Sequence, residues 1–156
     1  MRKTLLGLLF CVPLLGQNYY TVSKTTTLSS SAEIITVQQP ATNALITRFV
    51  SARIDSVGAC TFTIEINGTP ASTTALTPAP VTTGEATATT TAYYSSNVGT
   101  GTVIFRGGVA ANSWYPLIDL SHTTLSGNGT SKNLTLRTAS CSGVVNITIT
   151  YTESNY

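Results

Sequence analysis

Few side chains in this chain of 156 residues could carry out acid–base, nucleophilic or metal chemistry. His122 is the only histidine, and it lies in the polar stretch DLSHTTLSG without a second histidine or clustered acids beside it. His122 could form a Ser-His-Asp triad with Asp119 or Asp55, but no G-x-S-x-G or comparable nucleophile turn is present. The six acidic residues are scattered, which disfavours the paired carboxylates of glycoside hydrolysis. We therefore predict no catalytic residues, no metal ligands and no cofactor, and we expect the protein not to be an enzyme.

Two pairs of aromatic residues are the candidates for ligand contact. Tyr93 and Tyr94 lie in TAYYSSN, and Trp114 and Tyr115 lie in ANSWYPLIDL. Adjacent residues of a strand point to opposite faces, so one member of each pair could be buried and the other exposed. Exposed aromatic rings can stack on sugar rings inside a rim of polar groups. The alternative is that Trp114 is the core tryptophan of a small β-domain.

The first 17 residues have the layout of a secretory signal peptide. Arg2 and Lys3 precede an apolar run from Thr4 to Leu15, which is too short to span a membrane. An ordinary buried N-terminal segment is the alternative, and Phe10 before Cys11 argues against a lipoprotein site. We expect the protein to be secreted, and to be extracellular or at the cell surface, without membrane insertion once the signal is removed.

Removal of the signal changes both the cysteine count and the charge. Cys60 and Cys141 remain, an even pair that we predict to form a disulfide bond in an oxidising compartment; two buried free thiols are the alternative. Six basic and six acidic side chains also remain, so the predicted mature chain has no net charge. Such a chain has little electrostatic attraction for phosphate backbones, and we expect no nucleic-acid partner.

The elements that would position these residues are strands. In ACTFTIEINGT, Cys60, Phe62, Ile64 and Ile66 alternate with polar residues, which predicts a half-buried strand with Cys60 pointing inward. The Asn67-Gly68 pair that follows is typical of a tight turn. The chain is rich in threonine and other β-branched residues, and it has no convincing helical period.

Turn and loop sequences divide the chain into eight or nine candidate strands. These are Tyr19–Thr27, Glu33–Gln38, Leu45–Ile54, Cys60–Ile66, Ala86–Tyr94, Thr102–Arg106, Trp114–Leu120, Lys132–Thr138 and Val144–Thr152. The stretch Thr69 to Thr91 is rich in threonine, alanine and proline, which indicates a long surface loop or an extended edge. We predict an all-β chain folded as a single antiparallel β-sandwich. A jelly-roll topology is favoured, with an immunoglobulin-like one as the alternative.

Three stretches of the sequence carry a resemblance to known proteins. They are VQQPATNA, then ACTFTIEINGT, then WYPLIDLSHTTLSGNGTSKNLTLRT followed by GVVNITITYTE. Together they resemble small secreted bacterial β-sandwich proteins of undescribed function, over most of the predicted mature chain. The resemblance implies the fold and the export, and it transfers no catalytic residues.

These observations predict three segments and two candidate functions. Residues 1–17 are the signal peptide, 18–31 an extended N-terminal arm or first strand, and 32–156 the β-sandwich domain. The first function is that of a non-catalytic structural or adhesion protein, which could self-assemble as a surface subunit by strand pairing. The alternative is a carbohydrate-binding module, which requires at least two of the four aromatics to be coplanar and exposed on one surface. The expected partners are therefore further copies of the chain or a surface polysaccharide.

Overall fold

The structure is a computed structural model that describes most of the chain beyond the predicted signal peptide. The described residues are 17–29, 34–41, 45–70, 74–95, 98–99, 101–115, 117–126 and 132–155. Residues 1–16 of the predicted signal peptide lie outside them, as do residues 30–33 at the predicted boundary of the sandwich domain.

The described part of the chain contains strands and connecting turns, and none of it is helical. In chain order the strands are β1 (Asn18–Ser29), β2 (Ile34–Gln39), β3 (Leu45–Ser56), β4 (Cys60–Ile66), β5 (Thr69–Pro70), β6 (Thr74–Leu76), β7 (Ala79–Pro80), β8 (Thr91–Ser95), β9 (Val98–Gly99), β10 (Thr102–Val109), β11 (Ser113–Trp114), β12 (Ile118–Asp119), β13 (Thr124–Ser126), β14 (Lys132–Ala139) and β15 (Ser142–Asn155).

Two antiparallel sheets contain nearly all of these strands, which confirms the all-β prediction. Sheet A has the order β11-β3-β15-β1-β7, and β12 and β13 pair with β3 along the same edge as β11. Sheet B has the order β10-β4-β14-β2-β8-β6. Strands β5 and β9 form a separate two-stranded ladder.

The strand pairs are nested along the chain. The first long strand pairs with the last, β1 with β15, and the second with the last but one, β2 with β14. Inside them, β3 pairs with the broken strand β11 to β13, and β4 pairs with β10. The pairs β15–β3 and β14–β4 then join these ladders into the two sheets.

The hydrophobic core lies between the sheets and follows the predicted alternation. Val145, Ile147 and Ile149 of β15 are buried on the inner face of sheet A, and Leu134 and Leu136 of β14 are buried on that of sheet B. Each large apolar side chain that is fully buried contributes about 1.5–3 kcal/mol to stability. The period of two in the sequence therefore identified the inner faces correctly.

The N-terminal segment is a strand of the sandwich. Strand β1 pairs with β15 over its whole length and with β7 on its other side. Its inward side chains Tyr20, Val22 and Leu28 are buried in the core.

The structure departs from the strand predictions in several places. Five short strands, β5, β6, β7, β9 and β13, were not predicted, so the expected number of eight or nine strands is wrong. Two of the predicted strands also differ from those observed. Residues 86–90, predicted as the start of a strand, are not one, because the backbone N–H groups of Thr89 and Thr90 donate to the buried carboxylate of Glu153 instead of to a ladder. The predicted strand Trp114–Leu120 is divided into β11 and β12. The sequence between β11 and β12 contains Pro116, a residue that has no N–H to give to a ladder.

The turn after β4 has the predicted backbone conformation, but the strand that follows it does not pair with β4. Asn67 has a φ of 58°, the left-handed region that asparagine tolerates. The strand that follows, β5, pairs with β9 and not with β4, so Asn67 and Gly68 do not close a tight hairpin. The carboxamide of Asn133 holds this turn by accepting from the Gly68 N–H and donating to the Gly68 carbonyl.

Cys60 and Cys141 form the predicted disulfide bond. Cys60 begins β4 in sheet B, and Cys141 immediately precedes β15 in sheet A. The bond therefore ties one sheet to the other and closes a loop across 81 positions.

Candidate functional site

The tryptophan–tyrosine pair divides between core and solvent, as alternation predicts, and Trp114 is its exposed member. The Trp114 side chain is 60% exposed on the outer side of sheet A. Tyr115 is half-buried, and its ring packs edge-on against Phe62 and Phe105, with centroid distances of 5.1 and 6.1 Å. Tyr115 is thus the core aromatic of the pair, and the alternative that assigned that place to Trp114 is wrong.

The tyrosine pair lies elsewhere. Tyr93 and Tyr94 are half-buried on β8 in sheet B. The ammonium of Lys24 lies 4.4 Å from the centroid of the Tyr94 ring. Trp114 lies in the other sheet, and two strands separate its strand β11 from β1, which carries Lys24. The four aromatic residues predicted for ligand stacking therefore do not form one surface. Trp114 alone of the four is exposed, so the expected pair of coplanar exposed rings is not found.

Trp114 instead lines a groove with residues from two further segments, which we call the Trp114 groove. Its volume is about 390 Å³. Its lining residues are Asp55, Ser56 and Val57 from the end of β3, Asn112, Ser113 and Trp114 from the turn into β11, and Val144 and Asn146 from β15.

The large apolar side chains that line the groove are exposed to solvent. Val57 is 53% exposed and Val144 is 42% exposed, and both lie in the same groove as Trp114. Single exposed apolar residues are ordinary on protein surfaces, but a contiguous patch with a polar rim is typical of a binding site.

A network of polar side chains lies beside the indole. The Arg53 Nε donates to Asp55 at 3.0 Å, and Asn146 Nδ2 donates to the other carboxylate oxygen at 3.4 Å. The Thr25 hydroxyl donates to Asn146 Oδ1 at 3.1 Å. The Arg53 guanidinium carbon also lies 5.5 Å from the Trp114 ring centroid. Because Arg53 and Asp55 compensate each other, this network presents polar groups with no net charge.

The backbone around the disulfide holds the far wall of the groove. Val57 N–H donates to the Val144 carbonyl, and Asn112 N–H donates to the Val57 carbonyl. Close approach requires glycine at position 58, since a Cβ there would overlap the backbone carbonyl of Ser142. Val57 and Val144 each lie three positions from a bonded cysteine. Sheet B thereby fixes the position of this wall through the disulfide.

Of the ionisable groups considered for a catalytic triad, His122 and Asp119 lie apart from this groove. His122 is exposed and lines a different depression with Lys132 and Ile104. The Ser121 backbone N–H donates to Asp119, and this hydrogen bond is the main reason that the pKa of Asp119 lies below its ordinary value. Asp55 lines the Trp114 groove, so the three residues do not meet. Within the described ranges, no three or more histidine, cysteine or acidic side chains are grouped closely enough to hold a metal ion.

Two buried carboxylates have structural partners. Glu153 accepts hydrogen bonds from Thr89 and Thr90 and fixes the segment before β8. Glu65 accepts from the Gly101 N–H and forms an ion pair with Arg137 on sheet B. These bonds account for the burial of both acids without a ligand.

Comparison with known proteins gives no family for this chain: no protein-family description and no curated protein sequence matches it. No helix long and apolar enough to cross a membrane occurs in the part of the chain that the structure describes.

Sequence reasoning identified Trp114 as a candidate but missed its neighbours. Asp55, Val57, Val144 and Asn146 were not predicted as site residues. Alternation along β15 places Val144 and Asn146 on the outward face, and that was the only available signal. The hydrogen bond between Asn146 and Asp55 depends on the register of β15 against β3, which joins residues 91 positions apart in the sequence.

Proposed function

We propose that this protein is a non-catalytic, secreted adhesion protein that binds neutral polysaccharide in the Trp114 groove. The observation that carries the proposal is the exposed indole of Trp114, which shares its groove with two exposed valines and a charge-compensated polar network.

Sugars match this combination of groups. A pyranose ring has C–H faces that pack on an aromatic ring and hydroxyls that both donate and accept hydrogen bonds. In the groove, Val57 and Val144 extend the apolar surface, and Asp55 and Asn146 supply an acceptor and an amide. The absence of net charge in the Arg53–Asp55 pair favours neutral over acidic sugars.

The same residues support binding without hydrolysis. Asp55 is the only acidic residue that lines the groove within the described ranges, whereas glycoside hydrolysis requires two carboxyl groups about the scissile bond. Its two oxygens accept from Arg53 and Asn146, which orients the carboxylate for hydrogen bonding to hydroxyls. Neither nucleic-acid binding nor membrane insertion is part of the proposal.

The direct test is replacement of the indole. Trp114→Ala should weaken binding to cellulose or xylan by roughly ten- to a hundredfold, since an apolar side chain of this size contributes about 1.5–3 kcal/mol when covered. Tyr19→Ala is the matched control, because Tyr19 is also an exposed aromatic of sheet A but lies outside the groove. Binding is measured by depletion on the insoluble polymers and by calorimetry with soluble fragments. Equal affinity in Trp114→Ala and the parent protein, or no binding of any neutral glycan, would exclude the proposal.

Two further assignments belong to this proposal. The disulfide is compatible with an extracellular location, and it supports the secretion predicted from the N-terminal sequence. The nested pairs β1–β15, β2–β14, β3–β11 and β4–β10 support a jelly roll, because that fold is a long hairpin of eight strands wound into two sheets. The immunoglobulin-like alternative has no such nesting.

Self-assembly by strand pairing is a second candidate function, and the edge strand β10 favours it. The other edges of the two sheets are short or broken: β6 and β7 have three and two residues, and β11 to β13 are separate pieces. Strand β10 has eight residues and, among the described strands, pairs only with β4. A long edge with open N–H and C=O groups can receive a strand from another copy.

Assembly through β10 can be tested with a charge on that edge. Ile104→Lys should lower the mass measured by light scattering if copies pair along β10, because a lysine on an edge strand opposes strand addition. Val81→Lys adds the same charge at an exposed residue away from that strand and should leave the mass unchanged. A monomeric parent protein would rule out this second function and leave polysaccharide binding unaffected.

A further inference from the structure

We infer that a glycan bound in the Trp114 groove runs across the strands of sheet A, from Trp114 over Asp55 and Asn146 to a distal subsite at Thr25. This inference rests on the proposed function and adds to it the direction of the bound chain, a further contact residue and the class of glycan.

The strand register places the four residues in one row. Trp114 lies directly opposite Asp55, Asp55 opposite Asn146, and Asn146 opposite Thr25. Directly opposed residues of neighbouring strands point to the same face of a sheet. Strands lie about 4.8 Å apart, so the row is about 14 Å long. That length fits several linked sugar rings rather than one.

Hydrogen bonds hold the polar members of the row in a fixed order. Thr25 donates to Asn146, Asn146 donates to Asp55, and Arg53 donates to Asp55. Each group keeps further capacity: the Asn146 amide has a second N–H, the Asp55 carboxylate has additional lone pairs, and the Thr25 oxygen can accept. A row of groups fixed in this way binds hydroxyls at little cost in side-chain entropy.

The shape and charge of the row define the ligand. A row of outward side chains with an indole at one end suits an extended chain whose rings present flat C–H faces, as β-linked glucose or xylose chains do. Thr25 is exposed, so a chain lying along the row can reach its hydroxyl. The compensated Arg53–Asp55 pair again favours an uncharged chain over an acidic one.

The test compares oligosaccharides of increasing length on matched threonine variants. Affinities for cellobiose, cellotriose and cellotetraose, measured by calorimetry on the signal-free protein, should rise with chain length. Thr25→Val should weaken cellotetraose binding by about two- to tenfold, the contribution of one hydrogen bond, and should weaken cellobiose binding less, because cellobiose covers only the Trp114 end of the row. Thr21→Val is the matched control, because Thr21 lies on the same outward face of β1 but opposite Thr150, away from the row.

The outcomes separate this inference from the proposed function. Binding that requires Trp114 but has no dependence on chain length or on Thr25 would overturn the cross-strand direction and keep the polysaccharide site. An equal loss of affinity in Thr21→Val would also overturn it. If the protein binds neither the oligosaccharides nor insoluble cellulose and xylan, the proposed function itself is wrong.

Discussion

At the scale of single residues, the shape of the groove depends on Gly58, because a residue with a side chain would not fit at that position. The chain brings Gly58 against the backbone of Ser142, and this approach sets the spacing between the end of β3 and the start of β15. Val57 and Val144, which flank that contact, form the apolar wall opposite Trp114.

Replacement of Gly58 should therefore be costly. Gly58→Ala is expected to lower the free energy of unfolding by about 1–3 kcal/mol, because its Cβ would overlap the Ser142 carbonyl and force the backbone apart. Gly108→Ala is the control, since the nearest atom to its Cβ would be the Cys60 carbonyl oxygen at an ordinary 3.6 Å. Urea denaturation of both variants measures the difference, and equal midpoints would contradict the steric argument.

Two buried tyrosines are expected to lower the stability of the folded protein at high pH. Burial raises the pKa of both Tyr20 and Tyr151 above the ordinary value of 10.0. The unfolded chain therefore releases protons from about pH 10, while the folded chain retains them. The contribution of these two tyrosines to stability should be constant below pH 10 and should then fall by about 1.4 kcal/mol per pH unit for each tyrosine until that tyrosine ionises in the folded protein.

Phenylalanine variants provide the measurement. Tyr151→Phe should reduce the slope of unfolding free energy against pH above pH 10, and Tyr20→Phe with Tyr151→Phe should reduce it further. At neutral pH the single variant should lose about 1 kcal/mol, since the Tyr151 hydroxyl donates to the Thr90 oxygen, whose own proton goes to Glu153. A slope that is identical in all three proteins would show that these side chains do not set the alkaline limit.

At the scale of elements, the disulfide and the strand ends that it joins act together. Replacing both Cys60 and Cys141 by alanine should lower the unfolding free energy by about 4–5 kcal/mol, the chain-entropy value for a loop of this length. The same variant should bind polysaccharide less tightly, because the wall formed by Val57 and Val144 loses its tie to sheet B. Denaturant titration and calorimetry check the two effects, and chemical reduction with alkylation of the parent protein should reproduce both.

The strands differ in how far their sequences could predict them. Strand β4 was predicted with its bounds correct because one of its faces is apolar and the other polar, so the period of two is clear. Residues 86–90 were misassigned because their partner is the Glu153 carboxylate, which lies more than sixty positions away. The Trp114 groove could not be predicted, because it depends on the register of β3, β11 and β15, which alternation along one strand does not specify.

At the scale of the whole molecule, the first strand is integral to the sandwich. Removal of residues 18–31 should abolish folding, since it takes the strand between β15 and β7 out of sheet A and exposes Ile147, Ile149 and Tyr151. Circular dichroism and size-exclusion chromatography of a protein that begins at Ala32 provide the measurement. A folded, stable product would mean that residues 18–31 act as a detachable arm.

The antiparallel pairing of β1 and β15 also places the start of β1 and the Trp114 groove toward opposite ends of sheet A. Asn18 lies opposite Glu153 at one end of sheet A, and the Trp114 groove lies toward the other end of β15, with Asn146 about 24 Å from Glu153 along the strand. Biotin, a fluorophore or a fused cargo attached beside Asn18 would thus face away from the groove. On a biosensor chip, immobilisation through that end would leave every captured molecule with its groove turned toward the flowing analyte.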